Sequence, residues 1–370
     1  MTHRTRIALA LVCTLTLSVP AAAQQTRMKV LLDTDIGTDI DDGWALGYAL
    51  KSPSFELMGV TVTDADTPQR ARLACKLLYR LGRTDVPVAV GRKTPAVPPD
   101  RIDYQFTWAE DFQAYKPVTT PAADFLADII RRNPGQITLI AVGPLQNIGD
   151  LVRLHPDVVP MVKRVVLMSG SVGPNAWSSA PMAEWNVKLA IPEAQAVYAA
   201  AWPLTIVPLD STTYVRLEDR ERDSLRKAGT PLVVALEALL RLWADAPDSR
   251  MTLHDQLALA EAQHPGRFFG RCDATPLRVD DEGYTRVDAA RGRRVTVCLE
   301  PKRDEFMAHY LAQLAGKQIR RSSRSANPNS TAGPTSETRG TRPAIPRSSS
   351  RGCSRLVVPA SWMRRPRGAT

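Results

Sequence analysis

The chain has 370 residues, 44% of them hydrophobic, enough for one large α/β domain or two smaller ones around a sizeable core. Its net charge of +10 does not point to a nucleic-acid-binding face, because from Gly316 onward twelve Lys and Arg stand against the single acid Glu337. The preceding body is close to neutral, no Cys/His metal signature is present, and no apolar run is long enough to span a membrane.

Arg4 and Arg6 precede an apolar run from Ile7 to Val19 and then Ala21-Ala22-Ala23, the three parts of a secretory signal peptide over residues 1–23. Mature protein is expected to begin near Gln24, in the periplasm or outside the cell; a leader without that role is the plainer alternative. No Cys follows the cleavage site to carry a lipid.

Val30-Leu31-Leu32 then reads as a buried strand, followed by five aspartates, Asp33, Asp35, Asp39, Asp41 and Asp42, and by the apolar helical face of Trp44, Leu46 and Tyr48. The acids thus occupy a turn at a strand's carboxyl end ahead of a helix, where open α/β sheets bind ligands. Helix capping accounts for one or two of them, not five. Packed carboxylates repel, so a hard cation such as Ca²⁺ or Mg²⁺ is their natural neutraliser. An EF-hand loop is excluded, since its twelfth position should be Glu and here it is Trp44. A solvated acidic loop fits poorly between an apolar strand and an apolar helix.

Further along, residues 55–63 form a second strand ending in Asp64-Ala65-Asp66, residues 70–81 a helix, and residues 86–90 a short strand. Residues 94–121, rich in proline and aromatics, read as a surface loop or lid, and residues 122–132 as a helix. The strand 137–142 closes in Gly143-Pro144, where glycine lets backbone approach a ligand, and a helix follows at 148–154. Strand 165–168, a polar loop 175–186, helix 193–201 and strand 204–209 with Asp210 at its end continue the pattern. This grammar implies α/β architecture: an open, mainly parallel sheet with helices on both faces and one site at the strand carboxyl ends.

Residues 217–245 are mostly helical, and His254-Asp255 stands at another helix start. Alone, His254 reads as a surface or capping residue; beside Asp255 it is a candidate proton donor. Residues 278–279 and 295–299 read as antiparallel edge strands and residues 303–314 as a last helix. Cys75 reads as core, while Cys272 and Cys298 can pair in an oxidising compartment, which spacing alone does not decide. The Ser/Pro/Arg-rich tail 316–370 cannot form a core and is expected to be disordered, either binding anionic surfaces or dispensable.

Taken in order, the segments D-T-D-I-G-T-D-I-D-D, A-V-G-P-L-Q-N-I, V-V-L-M-S-G-S, A-E-W-N and L-H-D-Q, spread over about residues 29–315, resemble the inosine-uridine preferring nucleoside hydrolases. The resemblance implies Ca²⁺-dependent hydrolysis of a ribonucleoside N-glycosidic bond in a homodimer or homotetramer. It implies Asp35, Asp42, the Val142 carbonyl and Asp255 as metal ligands, with Asp35 also the general base toward a water on that metal. Asp41, Asp66, Asn175, Glu184 and Asn186 would grip the ribose hydroxyls, and His254 would assist departure of the base. Such a site suits an oxocarbenium-like ribosyl centre. Trp108, Trp177, Trp185 and Trp243 are candidates to stack on the base. The chain departs from the family's pattern in the inserted Asp39-Ile40, in Ile36 where Pro is usual, in Asp66 where Asn is usual, and in the gap between Asn175 and Glu184. Two rivals share the strand-end acids: an Asp-x-Asp phosphatase using Mg²⁺, which lacks its downstream Lys and acidic pair here, and an exported nucleoside- or sugar-binding protein without turnover.

Overall fold

The strands of this protein are apolar on both faces because each face is covered. In β1 (Met28–Thr34) Val30 and Leu32 enter one hydrophobic layer and Leu31 the other. The same period-two division recurs in β4 (Thr138–Ala141), where Ile140 parts from Leu139 and Ala141, and in β5 (Arg164–Met168), where Val166 and Met168 part from Val165 and Leu167. The computed structural model describes residues 27–96, 104–243 and 251–316. The expected signal peptide and basic tail lie outside these described residues.

In chain order β1 is followed by α1 (Asp41–Lys51), β2 (Phe55–Val62), α2 (Thr67–Arg80), β3 (Val88–Val90) and α3 (Ala122–Arg132). Then come β4, α4 (Gln146–Leu154), β5, α5 (Trp185–Lys188), α6 (Ile191–Ala199), β6 (Leu204–Val207) and α7 (Leu209–Thr212). The last third holds α8 (Asp219–Ala228), α9 (Pro231–Trp243), α10 (His254–Gln263), β7 (Phe269–Val279), β8 (Thr285–Val287), β9 (Arg293–Pro301) and α11 (Arg303–Leu314). The expected helical stretch 217–245 is broken where Gly229 takes a left-handed φ of 58° and Pro231 starts the next helix.

One sheet of nine strands runs β3-β2-β1-β4-β5-β6-β9-β7-β8. From β3 to β9 every pairing is parallel; β7 is antiparallel to both β9 and β8. Residues 295–299 are therefore not at an edge, as the sequence suggested. They lie in β9, enclosed between β6 and β7, which explains why Val295, Val297 and Cys298 are buried. Cys272 and Cys298 face each other across β7 and β9, with Cα atoms 4.0 Å apart, and are joined by a disulfide. Cys75 is a buried free thiol, as expected.

One layer contains α1, α2, α9, α10 and α11, the other α3, α4 and α6. All ten residues of α10 are buried, so the helix carrying His254 and Asp255 is an interior element. The chain runs outward from β1 through β2 to β3, then returns to β4 on the other side of β1. That reversal opens a crevice above the carboxyl ends of β1 and β4. Among the described residues no helix is long and apolar enough to cross a membrane.

Candidate active site

The acidic turn fills this crevice. Asp41 and Asp42 occupy the first turn of α1, where the helix presents unpaired amides and a favourable dipole, and its N-cap Ile40 offers no side-chain acceptor. The inserted pair Asp39-Ile40 divides, Asp39 facing solvent and Ile40 entering the core, so both following acids stay at the helix start. From the other end of the chain, α10 brings in Asp255. Its backbone N–H donates to an Asp41 carboxylate oxygen at 3.1 Å, and Gln256 donates to the Asp41 carbonyl at 2.7 Å. Asp41, Asp42 and Asp255 each offer a buried carboxylate oxygen, all within 4.8 Å of one another.

Asp35 stands at the base of the turn. Gly143, just past β4, is placed so that a Cβ there would lie 2.7 Å from an Asp35 carboxylate oxygen and 2.8 Å from its amide nitrogen. Arg70, fully buried on α2, donates to the carbonyls of Asp35, Ile36 and Asp64 and pairs with the Asp64 carboxylate at 3.4 Å. Phe106, from the proline-rich segment expected to be a lid, packs on Gly37, whose φ of 111° suits glycine alone. Gln105 donates to the Asp39 carbonyl at 3.0 Å. Within the described residues this part of the segment is a clamp on the acidic turn.

Burial and mutual repulsion push Asp41, Asp42 and Asp255 well above the usual carboxylate range. Burial lifts Asp35 to about 6, with Arg70 pulling it back, and lifts Asp33 to about 7 although Asn147 and Thr61 donate to it. Among the described residues one Asp33 carboxylate oxygen has no hydrogen-bond partner. Buried acids this close need neutralising charge, by protons or by a cation. The donor set is all oxygen, which fits a hard divalent cation. The Val142 carbonyl, just past β4, accepts from the Asn186 side-chain amide at 2.7 Å and keeps a second lone pair.

Glu184 and Asn186 close the far wall. Glu184 caps α5, accepting from the amides of Asn186 at 2.8 Å, Val187 at 3.2 Å and Gly170 at 3.0 Å; burial still pushes it up to about 7. Asn175 is buried, but its side-chain oxygen accepts from the Trp177 and Ser178 amides and so shapes its own loop. Asp66 must be corrected. It is the N-cap of α2, accepting from Gln69, and pairs with exposed Lys93 at 3.5 Å. The acid of this strand end that faces the site is Asp64, whose charge raises Asp35. Asp64 and Ala65 both have positive φ, 67° and 49°, a turn that spacing does not reveal.

His254 is buried, its Nδ1 lies 2.7 Å from the Thr212 hydroxyl, and burial holds it down to about 3, a neutral ring. Trp177 meets that ring edge-on, centroids 5.3 Å apart. Trp108 instead lies under the Lys76 ammonium. Arg70 and Thr212 escaped the sequence reading. Arg70 had a visible signal, being the charged member of the stripe Arg70, Ala74, Leu77 and Leu78 that otherwise reads as core. Thr212 had none.

A family model described as inosine-uridine preferring nucleoside hydrolase matches residues 30–308. The pyrimidine-specific ribonucleoside hydrolase RihA of Enterobacter sp. (strain 638) is 29% identical over 257 residues, 65% of this chain and 80% of that protein. A plant nucleoside hydrolase superposes with a TM-score of 0.68 at 24% identity, over 78% of this chain and 99% of that one. A purine-preferring ribonucleoside hydrolase from Gardnerella vaginalis gives 0.67 at 23%, over 78% and 98%. At these identities the two structures establish the fold, and the family model establishes the lineage. The chain belongs to the inosine-uridine preferring nucleoside hydrolase family, hydrolases acting on N-glycosyl bonds.

Proposed function

We propose that the enzyme cleaves the N-glycosidic bond of ribonucleosides with Ca²⁺ held by Asp35, Asp42, the Val142 carbonyl and Asp255, releasing ribose and a free base. The observation that carries this reading is the buried, oxygen-only cluster of Asp41, Asp42 and Asp255 beside Asp35 at the sheet's switch point. When bound, the cation supplies Lewis acidity toward the attacking water. Asp35, lifted toward neutrality by burial, takes that water's proton. Asp41, Glu184 and Asn186 line the crevice with carboxylate and amide groups suited to ribose hydroxyls, and hold them as positive charge builds at the anomeric carbon. Asn175 acts by keeping Trp177 in place, and His254 meets the departing base.

Export to the periplasm or beyond is supported by the amino-terminal pattern of Arg4, Arg6 and the apolar run, and by the Cys272–Cys298 disulfide, which persists in oxidising compartments. A homodimer or homotetramer is proposed from the family resemblance. The test is reducing-sugar release from a panel of purine and pyrimidine ribonucleosides, with and without a calcium chelator. Chelator-sensitive release restored by Ca²⁺ is the expected result and ranks the bases. Release that survives exhaustive chelation, or none at all from any nucleoside, would overturn it.

A further inference from the structure

Among the described residues His254 has a single hydrogen-bond partner. Its Nδ1 lies 2.7 Å from the hydroxyl of Thr212, a fully buried residue at the end of α7. Which atom donates is decided by what else that hydroxyl can reach. The next residue, Thr213, turns its hydroxyl back onto the Leu209 carbonyl at 2.8 Å, the common habit of threonine in a helix. Thr212 makes no such bond, and among the described residues its hydroxyl has no acceptor besides Nδ1. A buried O–H without an acceptor is costly, so the hydroxyl donates and Nδ1 accepts. In a neutral imidazole the ring hydrogen then sits on Nε2. Among the described residues Nε2 has no protein partner.

The same short helix also sets the other wall. Asp210 accepts from the Val172 amide at 3.1 Å and Thr213 accepts from the Ala176 amide at 3.1 Å, which anchors the loop carrying Trp177 against the His254 ring. We infer that Thr212 is a positioning residue for departure of the base: its hydroxyl fixes His254 as the Nε2–H tautomer, a donor facing the leaving nucleobase beside Trp177. The inference rests on the hydrolase reading above. The leaving group receives a hydrogen bond from Nε2–H as the glycosidic C–N bond breaks and its electron pair passes to the base nitrogen; the ring keeps its proton and stays neutral, stabilising the developing negative charge.

The test compares full-length wild type, Thr212→Val and Thr212→Ser, loaded with Ca²⁺. Each is measured on a natural ribonucleoside and on p-nitrophenyl β-riboside, whose phenolate departs without a proton. Thr212→Val should lower kcat on the nucleoside by on the order of 10²-fold, the low end for a positioned hydrogen-bond donor to developing charge, and change the nitrophenyl substrate by less than about 3-fold. Thr212→Ser should restore most of the loss, and in a His254→Ala background Thr212→Val should have no further effect. Independently of turnover, ¹⁵N spectra of histidine-labelled protein should show His254 with Nε2 protonated in wild type and Thr212→Ser, and this preference lost in Thr212→Val. Equal losses on both substrates, a further loss on top of His254→Ala, or a proton on Nδ1 in wild type would overturn the inference. A wild type inert toward both substrates would instead sink the hydrolase reading, a different result from an active wild type whose variants do not discriminate.

Discussion

Gly143→Ala is the smallest change that probes how Asp35 is held. The added methyl would lie 2.7 Å from an Asp35 carboxylate oxygen, 2.8 Å from the Asp35 amide nitrogen and 2.8 Å from the Thr63 methyl. Non-bonded carbons prefer about 3.5–4.0 Å, so the Thr63 contact alone requires a retreat of about 0.7 Å or more. The Asp35 backbone cannot supply the rest easily, because Arg70 grips its carbonyl and that of Ile36 from within the core. The carboxylate must therefore swing. Overpacking of this size costs about 1–3 kcal/mol of stability. Displacing a reacting group by about 1 Å costs on the order of 10²-fold in rate. Ribose release should thus show kcat down by about two orders of magnitude, while urea denaturation shows a loss within the range given for overpacking. Gly59→Ala is the control: its methyl would meet Phe125 at 2.5 Å in the opposite layer, so stability should fall without a matching loss of kcat. A Gly143→Ala enzyme with kcat within about 3-fold of wild type would refute the placement of Asp35 as the proton acceptor.

Asp35→Asn should lower kcat by at least about 10²-fold in a protein that still melts cooperatively; unchanged turnover would remove the base role. The pH dependence follows from acids raised above their ordinary value, Asp35 to about 6 and Asp33 and Glu184 to about 7. The metal-free folded chain keeps protons that the unfolded chain gives up, so this contribution to stability is fully present below about pH 4 and is lost as pH rises through about 6–7. Thermal melts in chelator should fall across that window, and the gain in Tm on adding Ca²⁺ should grow with pH; a gain that shrinks would contradict the sign. Reducing the Cys272–Cys298 bond, which closes a separation of 26 residues, should cost about 3.5 kcal/mol by the chain-entropy relation. It should leave kcat unchanged in the fraction that remains folded, measured by activity after dithiol treatment below the melting range.

The parallel half of the fold was legible because burial on both faces leaves short apolar runs, and Val30-Leu31-Leu32, Thr138–Ala141 and Leu204–Val207 are such runs. The clustered acids were legible for a related reason, since several carboxylates at one strand end have no ordinary structural use. What failed to show was whatever depends on direction rather than order. Asp64 and Asp66 both follow β2, and only the left-handed backbone at Asp64 and Ala65 decides which one faces Asp35. Residues 295–299 of β9 read as an edge strand, although β7 and β8 extend the sheet beyond them. Gln105 and Phe106 looked like surface loop by composition, yet both are buried against the turn they clamp.

The bond from the Asp255 amide to Asp41 spans 214 positions of sequence. Closing so long a span is slow, and its entropic cost is met only when the rest of the chain is in place. During synthesis the aspartates of the first turn emerge early and must wait, solvated, for α10 to bury itself beneath the sheet. On the calcium reading proposed above, tight binding belongs to the finished body alone, and a calcium-sensitive probe would read out the last stage of folding rather than the first.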